Sequence, residues 1–216
     1  MAVRQLRNYV RRYTTLSSAL ETLSKKKLVL LSPSKWDDSN DSYLVELYRN
    51  HIGAKSVLAL CCTMATETYH HWRVFTSGME GVCIEFQREP LQQAVNQFQN
   101  VSADAVNYLT IDELKALGLN HLHKLPFAKR PGYSDEREWR IVANVFDETK
   151  EFMDIPIELS WINRVVLNPW MPPSLVDSLR PILKGIPGAR SIEIASSRLT
   201  NSKSWKEAGK ALVEGD

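Results

Sequence analysis

The sequence predicts a single α+β domain with a mixed, split β-sheet and helices packed on it. The chain has 216 residues, of which 44% are hydrophobic and 24% charged, and these proportions are typical of a globular protein with a full core. Runs of strand-forming residues and helical stripes follow one another irregularly, which favours α+β over a regular βαβ series. We therefore expect one domain over residues 1–216, with a helical insertion at about residues 88–128.

The first quarter of the chain shows two helical patterns on either side of a short strand. Residues 16–24 place three leucines on one helical stripe, and residues 28–31 are a short apolar run that ends at Ser32-Pro33. Residues 40–52 are again helical in pattern. The inner face of this second helix is predicted to comprise Leu44, Leu47 and Tyr48.

The remaining elements are predicted from strand-forming composition, capping signals and prolines. Residues 90–122 have helical character, with a capping box at Thr110-x-x-Glu113. A further helix begins at Pro172-Pro173. The predicted strands are residues 57–63, 81–86, 136–145, 162–167 and 191–195.

Charge and hydropathy narrow the functional classes. The net charge is 27 − 25 = +2, too small to indicate nucleic-acid binding by itself, although residues 1–30 are distinctly basic. No apolar run approaches the roughly 20 residues that a membrane helix needs, and no apolar stretch typical of a signal peptide follows the N-terminus. Three cysteines without CxxC spacing favour a reducing cytoplasm.

The segment from Glu136 to Val145 is the most informative about chemistry. In an extended strand, Glu136, Glu138 and Arg140 point to one face at intervals of about 7 Å, while Trp139 points to the other with Arg137 at its start. Two carboxylates and a guanidinium on one face form either a solvated surface or the lining of a cleft, and this segment alone leaves both open.

Five motifs follow one another over nearly the whole chain. They are Arg12-Tyr13, Leu31-Ser32-Pro33 with Trp36-Asp37-Asp38, Trp72-x-x-Phe75 with Gly81-Val82-Cys83-Ile84-Glu85-Phe86, Glu136-Arg137-Glu138-Trp139-Arg140, and Ile162-Asn163-Arg164-Val165-Val166-Leu167. In this order they resemble an uncharacterised bacterial family, domain-of-unknown-function family 2971. Ser39 departs from the family pattern, which usually has proline there.

The layout of these motifs is similar to the R…S/T…E-x-E pattern of ADP-ribosyltransferases. The resemblance implies that Arg12 binds the diphosphate or ribose of NAD, that Glu138 is the catalytic carboxylate, and that Glu136 orients the acceptor. Thr63 or Phe75 would take the middle-strand position, and we prefer Thr63 because phenylalanine cannot donate a hydrogen bond.

NAD is thus expected as a substrate, without a metal. Tyr13 or Trp72 would stack on the nicotinamide or adenine ring, unless these aromatics belong to the core. The resemblance also implies a macromolecular acceptor, a role as a toxin or anti-phage effector, and a neutralising partner.

Three other interpretations stay open at this point. Zinc binding has ligand types but no matching spacing. A Mg²⁺-dependent nuclease would use acidic ligands, with Lys129, Arg130 and Arg140 on phosphate. A non-enzymatic module would bind nucleic acid or an acidic partner through the basic N-terminal stretch. The nuclease ligands would be Asp37, Asp38, Asp41, Glu136 and Glu138.

Overall fold

The computed structural model describes residues 8–76 and 78–214, so Arg4 and Arg7 of the basic N-terminal stretch lie outside the described residues. The strands are β1 (Tyr9–Thr15), β2 (Lys27–Leu31), β3 (Ser56–Thr63), β4 (Gly81–Gln87), β5 (Val101–Ala105), β6 (Asn107–Tyr108), β7 (Ala128–Lys129), β8 (Glu138–Val145), β9 (Phe152–Pro156), β10 (Ile162–Leu167) and β11 (Glu193–Ser196). The α-helices are α1 (Leu16–Lys25), α2 (Ser39–Ile52), α3 (Tyr69–Phe75), α4 (Arg88–Val95), α5 (Ile111–Ala116), α6 (Pro173–Gly185) and α7 (Lys203–Glu214). Short 3₁₀ helices cover Pro33–Lys35, Leu119–Phe127, Pro131–Glu136 and Leu159–Trp161.

Nine strands of the described chain form one mixed sheet. Its main path runs β11-β10-β4-β1-β3-β2-β9, and β8 and β5 continue the sheet from β3. The pairing of β10 with β11 is parallel, whereas the other pairings in this sheet are antiparallel. Strands β6 and β7 form a separate parallel pair. The predicted α+β class and mixed sheet are confirmed.

The sheet splits at β3. One edge of β3 pairs with β8 along its whole length, from Ser56↔Val145 to Thr63↔Glu138. Its other edge meets β1 at the single registered pair Arg11↔Thr63 and β2 at the single pair Leu31↔Ala59. Because β1 and β2 each pair with β3 at a single position, the sheet divides between them along this edge, as the sequence predicted.

The main core lies on one face of the sheet. Trp139 and Ile141 of β8 and Leu60 of β3 pack there with the buried sides of α1, α4 and α6. The alternation predicted for β8 is confirmed for Trp139, which is buried in this core. Arg137 does not join that face, since it precedes the strand and is exposed.

Helix α2 and the 3₁₀ helix Leu119–Phe127 cover part of the opposite face. The predicted inner face of α2 is wrong for Leu47, which is exposed, and right for Tyr48, which is buried. The buried side of α2 comprises Asp41, Val45 and Tyr48. Asp41 is buried because it pairs with the buried Arg140. Asp38 caps the helix by accepting a hydrogen bond from the Asn40 N–H.

The predicted helical insertion at residues 88–128 is wrong in part. Helix α4 ends at Val95, and residues 101–105 form β5, which pairs with β8 as part of the main sheet. The capping box is confirmed, since the Thr110 hydroxyl and the Glu113 carboxylate each accept a hydrogen bond from the other residue's N–H. The helical content of this segment was over-predicted because its short strand lacks a run of apolar or β-branched residues.

The sequence predicted no membrane-spanning helix. Within residues 8–76 and 78–214, no helix has both the length and the apolar character that crossing a bilayer requires.

We expect Trp139→Ala to lower the free energy of unfolding by about 3–5 kcal/mol, because it truncates a large side chain in a close-packed core. Denaturant titration of the two proteins measures the difference. Trp205→Ala is the matched control, since Trp205 on α7 is 81% exposed and its removal creates no cavity. Equal stability of the Trp139→Ala variant and the control would contradict the assigned core face.

Candidate active site

A row of polar side chains crosses one face of the sheet through five neighbouring strands. The register pairs Arg164 of β10 with Glu85 of β4, Glu85 with Arg11 of β1, Arg11 with Thr63 of β3, and Thr63 with Glu138 of β8. Directly opposite residues on paired strands point to the same face. The row therefore lies on the face that does not contact the main core.

One end of the row is a buried ion pair that is complete within the protein. Arg11 Nη2 lies 2.6 Å from the Glu85 carboxylate, and Arg11 Nη1 donates to the Ala65 carbonyl oxygen at 2.7 Å. Glu85 also accepts a hydrogen bond from Asn163 Nδ2 at 2.6 Å and contacts Arg164. Burial opposes ionisation of Glu85, but Arg11, Asn163 and Arg164 outweigh it and hold its pKa below the usual range.

A cleft of about 1380 Å³ opens on this face beside the other end of the row. It follows the split in the sheet, since residues of β1, β2 and β3 all line it together with α2 and the loop after β2. Six of the seven residues predicted as site residues line it. They are Arg12, Tyr13, Thr63, Phe75, Glu136 and Glu138.

Glu138 lies at the floor of the cleft, paired with Arg140 two residues along the same strand. Arg140 Nε and Nη2 donate to the two Glu138 carboxylate oxygens at 2.5 and 2.9 Å. Arg140 Nη1 donates to Asp41 at 2.8 Å and to the Pro126 carbonyl oxygen at 2.9 Å. The guanidinium lies 4.6 Å from the centre of the Trp36 ring and is fully buried. The predicted face of Glu138 and Arg140 is thus a buried cluster and not a solvated surface.

Lys129 of β7 is the second cation of this cluster. Its Nζ lies 2.6 Å from Glu136, 3.3 Å from Glu138 and 4.0 Å from Asp41. The ammonium also lies 4.5 Å from the centre of the Tyr133 ring. One cation therefore bridges all three carboxylates of the cluster.

The cluster has a net formal charge of −1 when all its groups are ionised, since three carboxylates face two cations. Burial opposes ionisation of Glu138, but Arg140 and Lys129 outweigh it and lower its pKa. For Glu136, burial is the largest effect and Lys129 offsets it only partly, so its pKa is raised. Two neighbouring carboxyls thus have pKa values displaced in opposite directions, which is typical of acid–base pairs in active sites.

Glu136 reaches the cluster by a route that alternation along a strand did not predict. It ends the 3₁₀ helix Pro131–Glu136, and Arg137 then adopts a left-handed conformation with φ 44° before β8 begins at Glu138. The predicted strand start at residue 136 is therefore wrong by two residues. The turn brings the Glu136 side chain to the same cation as Glu138, although the two residues do not share a strand.

Thr63 is the middle-strand residue of the row, directly opposite both Arg11 and Glu138. Its hydroxyl donates to the Glu136 carbonyl oxygen at 2.5 Å and accepts from the Ala65 N–H at 2.9 Å. The preference for Thr63 over Phe75 is consistent with this placement, since Phe75 lies on α3 and not on a strand. Thr63 fixes the backbone at Glu136.

The three predicted aromatics lie in different environments. Trp72 is 1% exposed, and its Nε1 donates to Glu67 at 2.7 Å, so the structure does not bring it into the cleft. Tyr13 borders the cleft, but its ring packs edge-on against Trp72 at 5.0 Å and its hydroxyl is buried. Phe75 lines the cleft at 38% exposure and stacks on His71 at 5.8 Å. Of these three rings, therefore, Phe75 is the one that is exposed in the cleft.

Arg12 differs from its neighbour Arg11 in how its charge is compensated. Arg12 Nη1 donates to the Cys61 carbonyl oxygen at 2.9 Å, and within the described part of the chain the guanidinium forms no ion pair. It is partly exposed in the cleft lining. Arg12 therefore presents an uncompensated positive charge to the cleft, whereas Arg11 is neutralised by Glu85.

Sequence reasoning missed the role of three residues. Arg11 was not singled out, because its register with Thr63 follows from strand pairing and not from any motif. In the nuclease interpretation, Asp41 was considered only as a metal ligand and Lys129 only as a phosphate contact. Asp41 pairs with Arg140, which is 99 residues away, and Lys129 pairs with Glu136 at the other end of the 3₁₀ helix Pro131–Glu136. The composition of a single segment contains no signal for either contact.

The described residues contain no group of three or more His, Cys, Asp and Glu side chains arranged to hold a metal ion. Cys62 belongs to the main core, whereas Cys61 lies against Glu138 on the opposite face, as expected for adjacent strand residues. Arg140 and Lys129 contact every carboxylate at the cleft floor. Their charges oppose the binding of a divalent cation among these oxygens.

We expect Arg140→Leu to cost about 3–5 kcal/mol of unfolding free energy at neutral pH, because it leaves Glu138 and Asp41 buried without their main cation. The carboxyls of the variant bind protons more readily when folded than when unfolded, so its deficit should shrink as the pH falls towards 4. Denaturant titration at several pH values measures this. Arg180→Leu, which removes an exposed pair with Asp177, is the control and should cost less than 1 kcal/mol. A deficit independent of pH would contradict the ionic role.

Solved structures similar to this chain include three complexes of DarT from Thermus sp. 2.9. They contain ADP-ribosylated ssDNA, NAD+ and carba-NAD+, with sequence identities of 12%, 12% and 14% and TM-scores of 0.45, 0.44 and 0.44. Each alignment covers 89% of this chain, and 95%, 96% and 96% of the DarT chains. A TM-score below 0.5 at this identity does not transfer an activity to this chain.

No curated protein matches the chain. A family model described as "Protein of unknown function (DUF2971)" matches residues 71–141. This segment extends from α3 into β8 and contains Lys129, Glu136 and Glu138. Over residues 71–141, therefore, the predicted resemblance to this uncharacterised family is confirmed.

Proposed function

We propose that the cleft binds NAD as a substrate and that the protein is an ADP-ribosyltransferase, which breaks the nicotinamide–ribose bond and transfers ADP-ribose to a macromolecule. One observation supports this most strongly. At the floor of the cleft an ionised, buried Glu138 lies next to a second carboxyl, Glu136, whose pKa is displaced the opposite way.

The charge of the cluster suits this reaction. Cleavage of the nicotinamide–ribose bond develops positive charge on the ribose, as in glycoside hydrolysis. Glu138 belongs to a cluster with a net charge of −1, held in place by Arg140. A fixed negative charge beside the ribose stabilises the transition state more than the ground state and needs no reorganisation during the reaction.

The second carboxyl suits the transfer step. As the acceptor attacks the ribose carbon, the electron pair of the broken bond leaves with neutral nicotinamide, and the acceptor's proton needs a base. Glu136 borders the cleft beside Glu138, and its raised pKa makes it a better base than an ordinary glutamate. Glu136 accepts the proton and later releases it to water, so that charge and atoms balance.

The two adjacent arginines of β1 are proposed to have different roles. Arg11 is pinned by Glu85 and Ala65 and supports the sheet beside Thr63. Arg12 keeps most of its donors and its charge for a ligand. A guanidinium binds a diphosphate through paired N–H donors, so Arg12 is the residue proposed to bind the diphosphate of NAD.

The aromatic residue proposed to stack on the ligand differs from the two expected from the sequence, Tyr13 and Trp72. Phe75, which lines the cleft, is the proposed stacking surface for a ligand ring, and Tyr13 supports that wall from behind. Trp72 belongs to the core of the wall. A role as a toxin or anti-phage effector in the cytoplasm, with a neutralising partner, is proposed on the family resemblance alone.

The nuclease alternative fits the cluster less well. A Mg²⁺ site needs carboxylate oxygens that are free to ligate the ion. Here Lys129 and Arg140 already contact the carboxylates of Asp41, Glu136 and Glu138.

We expect Glu138→Gln to reduce nicotinamide release from NAD at least a hundredfold while the protein stays folded. Glutamine preserves the shape, and the cluster then has two carboxylates facing two cations. Nicotinamide release is followed by chromatography, with and without added RNA, DNA or protein extract, and folding by circular dichroism. Glu46→Gln is the matched control, because Glu46 borders the same cleft but pairs with Arg49. Wild-type turnover in Glu138→Gln would exclude the catalytic assignment.

We expect Arg12→Ala to weaken NAD binding about 10- to 100-fold, which corresponds to the loss of a charge-assisted hydrogen-bond pair. Nicotinamide riboside lacks the diphosphate, so its affinity should change much less. Calorimetric titration of both ligands measures the difference, with the exposed Arg198→Ala as control. Equal losses for the two ligands would mean that Arg12 does not bind the diphosphate.

A further inference from the structure

Lys129 occupies a position that the proposed reaction does not yet explain. It lies on β7, a two-residue strand paired with β6 outside the main sheet. Its side chain is 10% exposed, and its ammonium contacts both glutamates and Asp41. A long, flexible cation is thus immobilised between the two carboxyls that the reaction uses.

The two cations of the cluster have different partners. Arg140 forms ion pairs with Glu138 and Asp41. Glu136 has a single ion-pair partner among the described residues, which is Lys129 at 2.6 Å. Both the orientation and the charge of Glu136 therefore depend on Lys129.

We propose that Lys129 is a positioning residue for the transfer step: its ammonium holds the Glu136 carboxylate beside Glu138 and keeps it ionised, so that it can accept the acceptor's proton. This inference rests on the proposed function. It assigns to Lys129 a role different from that of Arg140, which fixes the catalytic carboxylate itself.

Electrostatics around Glu136 support this division. Burial favours the neutral form of Glu136, and Glu138 does so as well, whereas Lys129 is the largest influence that favours the charged form and Arg140 adds a smaller one. Without Lys129, two carboxyls would lie side by side in a desolvated site, and the charged form of Glu136 would lose its main stabilising partner. The pKa of Glu136 would then rise further.

The groups that face the ammonium come from several elements. Asp41 and Asp38 belong to α2 and its cap, and Tyr108 to β6. Glu138 belongs to β8, and the Tyr133 ring covers the ammonium from the 3₁₀ helix before that strand. Burial alone would lower the pKa of Lys129, but Glu138, Glu136 and Asp41 raise it, so Lys129 stays charged throughout the range in which Glu136 titrates.

The test compares pH–rate profiles for NAD hydrolysis, with water as the acceptor, in three full-length proteins. Lys129→Met keeps the length of the side chain and loses its charge, whereas Lys129→Arg keeps the charge. We expect the acid limb of kcat to move to higher pH by about one unit or more in Lys129→Met, and to stay near the wild-type position in Lys129→Arg. A loss of kcat that is equal at every pH in Lys129→Met would indicate a merely structural role and overturn the proposal.

A second measurement does not require activity. Titration of the Glu136 side-chain carbonyl carbon by NMR, assigned with Glu136→Gln, reports its pKa directly in the ligand-free protein. A higher pKa in Lys129→Met than in the wild type supports the inference, and an unchanged pKa overturns it. If the wild type releases no nicotinamide, the proposed function fails, while the titration still decides whether Lys129 controls Glu136. If Lys129→Met does not fold, Lys129→Gln replaces it in both measurements.

Discussion

The buried ion pair between Glu138 and Arg140 is the interaction on which the site depends. Arg140 has no access to water, so its charge needs every partner that it has. Those partners come from separate parts of the chain: Glu138 from its own strand, Asp41 from α2, and the Pro126 carbonyl from the 3₁₀ helix Leu119–Phe127. One guanidinium thereby fixes three elements around the cleft floor, and the Trp36 ring covers it from the loop after β2.

A cluster of this kind is a poor source of stability, because the cost of desolvating the charges offsets much of their attraction. Its value lies in geometry. The bidentate contact fixes the orientation of the Glu138 carboxylate, and the main core behind Trp139 fixes the strand that presents it. The alternation of β8 therefore joins the two properties that a catalytic carboxylate needs, a rigid backbone and a dry, charged environment.

The features that were predicted correctly from the sequence depend on interactions between residues close together in the chain, whereas the missed features depend on residues far apart or on strand register. The alternation around Trp139 and the capping box at Thr110 depend on residues within a few positions, and both were predicted correctly. The buried face of α2 was partly mispredicted because it includes a charged residue, Asp41. This aspartate is buried because it pairs with Arg140, which is 99 residues away in the sequence. The choice between Arg11 and Arg12 depends on the register of β1 against β3, which a single sequence does not contain. Strand β5 was missed because its pairing with β8, not its composition, makes it a strand.

The split of the sheet explains why adjacent arginines have different roles. In a continuous sheet β1 would pair with β3 along its length, and β3 would occupy the edge of β1 beside Arg12. Because β1 meets β3 only at Arg11↔Thr63, Arg11 lies in the polar row, while Arg12 is free to reach past the edge of β3 to the Cys61 carbonyl at the cleft. The pairing of β1 with β4 is regular, with Arg11 opposite Glu85 and Arg12 opposite Ile84, so the two arginines alternate along the strand and Arg11 neutralises Glu85. The missing pairing between β1 and β3 beyond Arg11 is what lets Arg12 reach the cleft, where, among the described residues, it provides an unpaired cation.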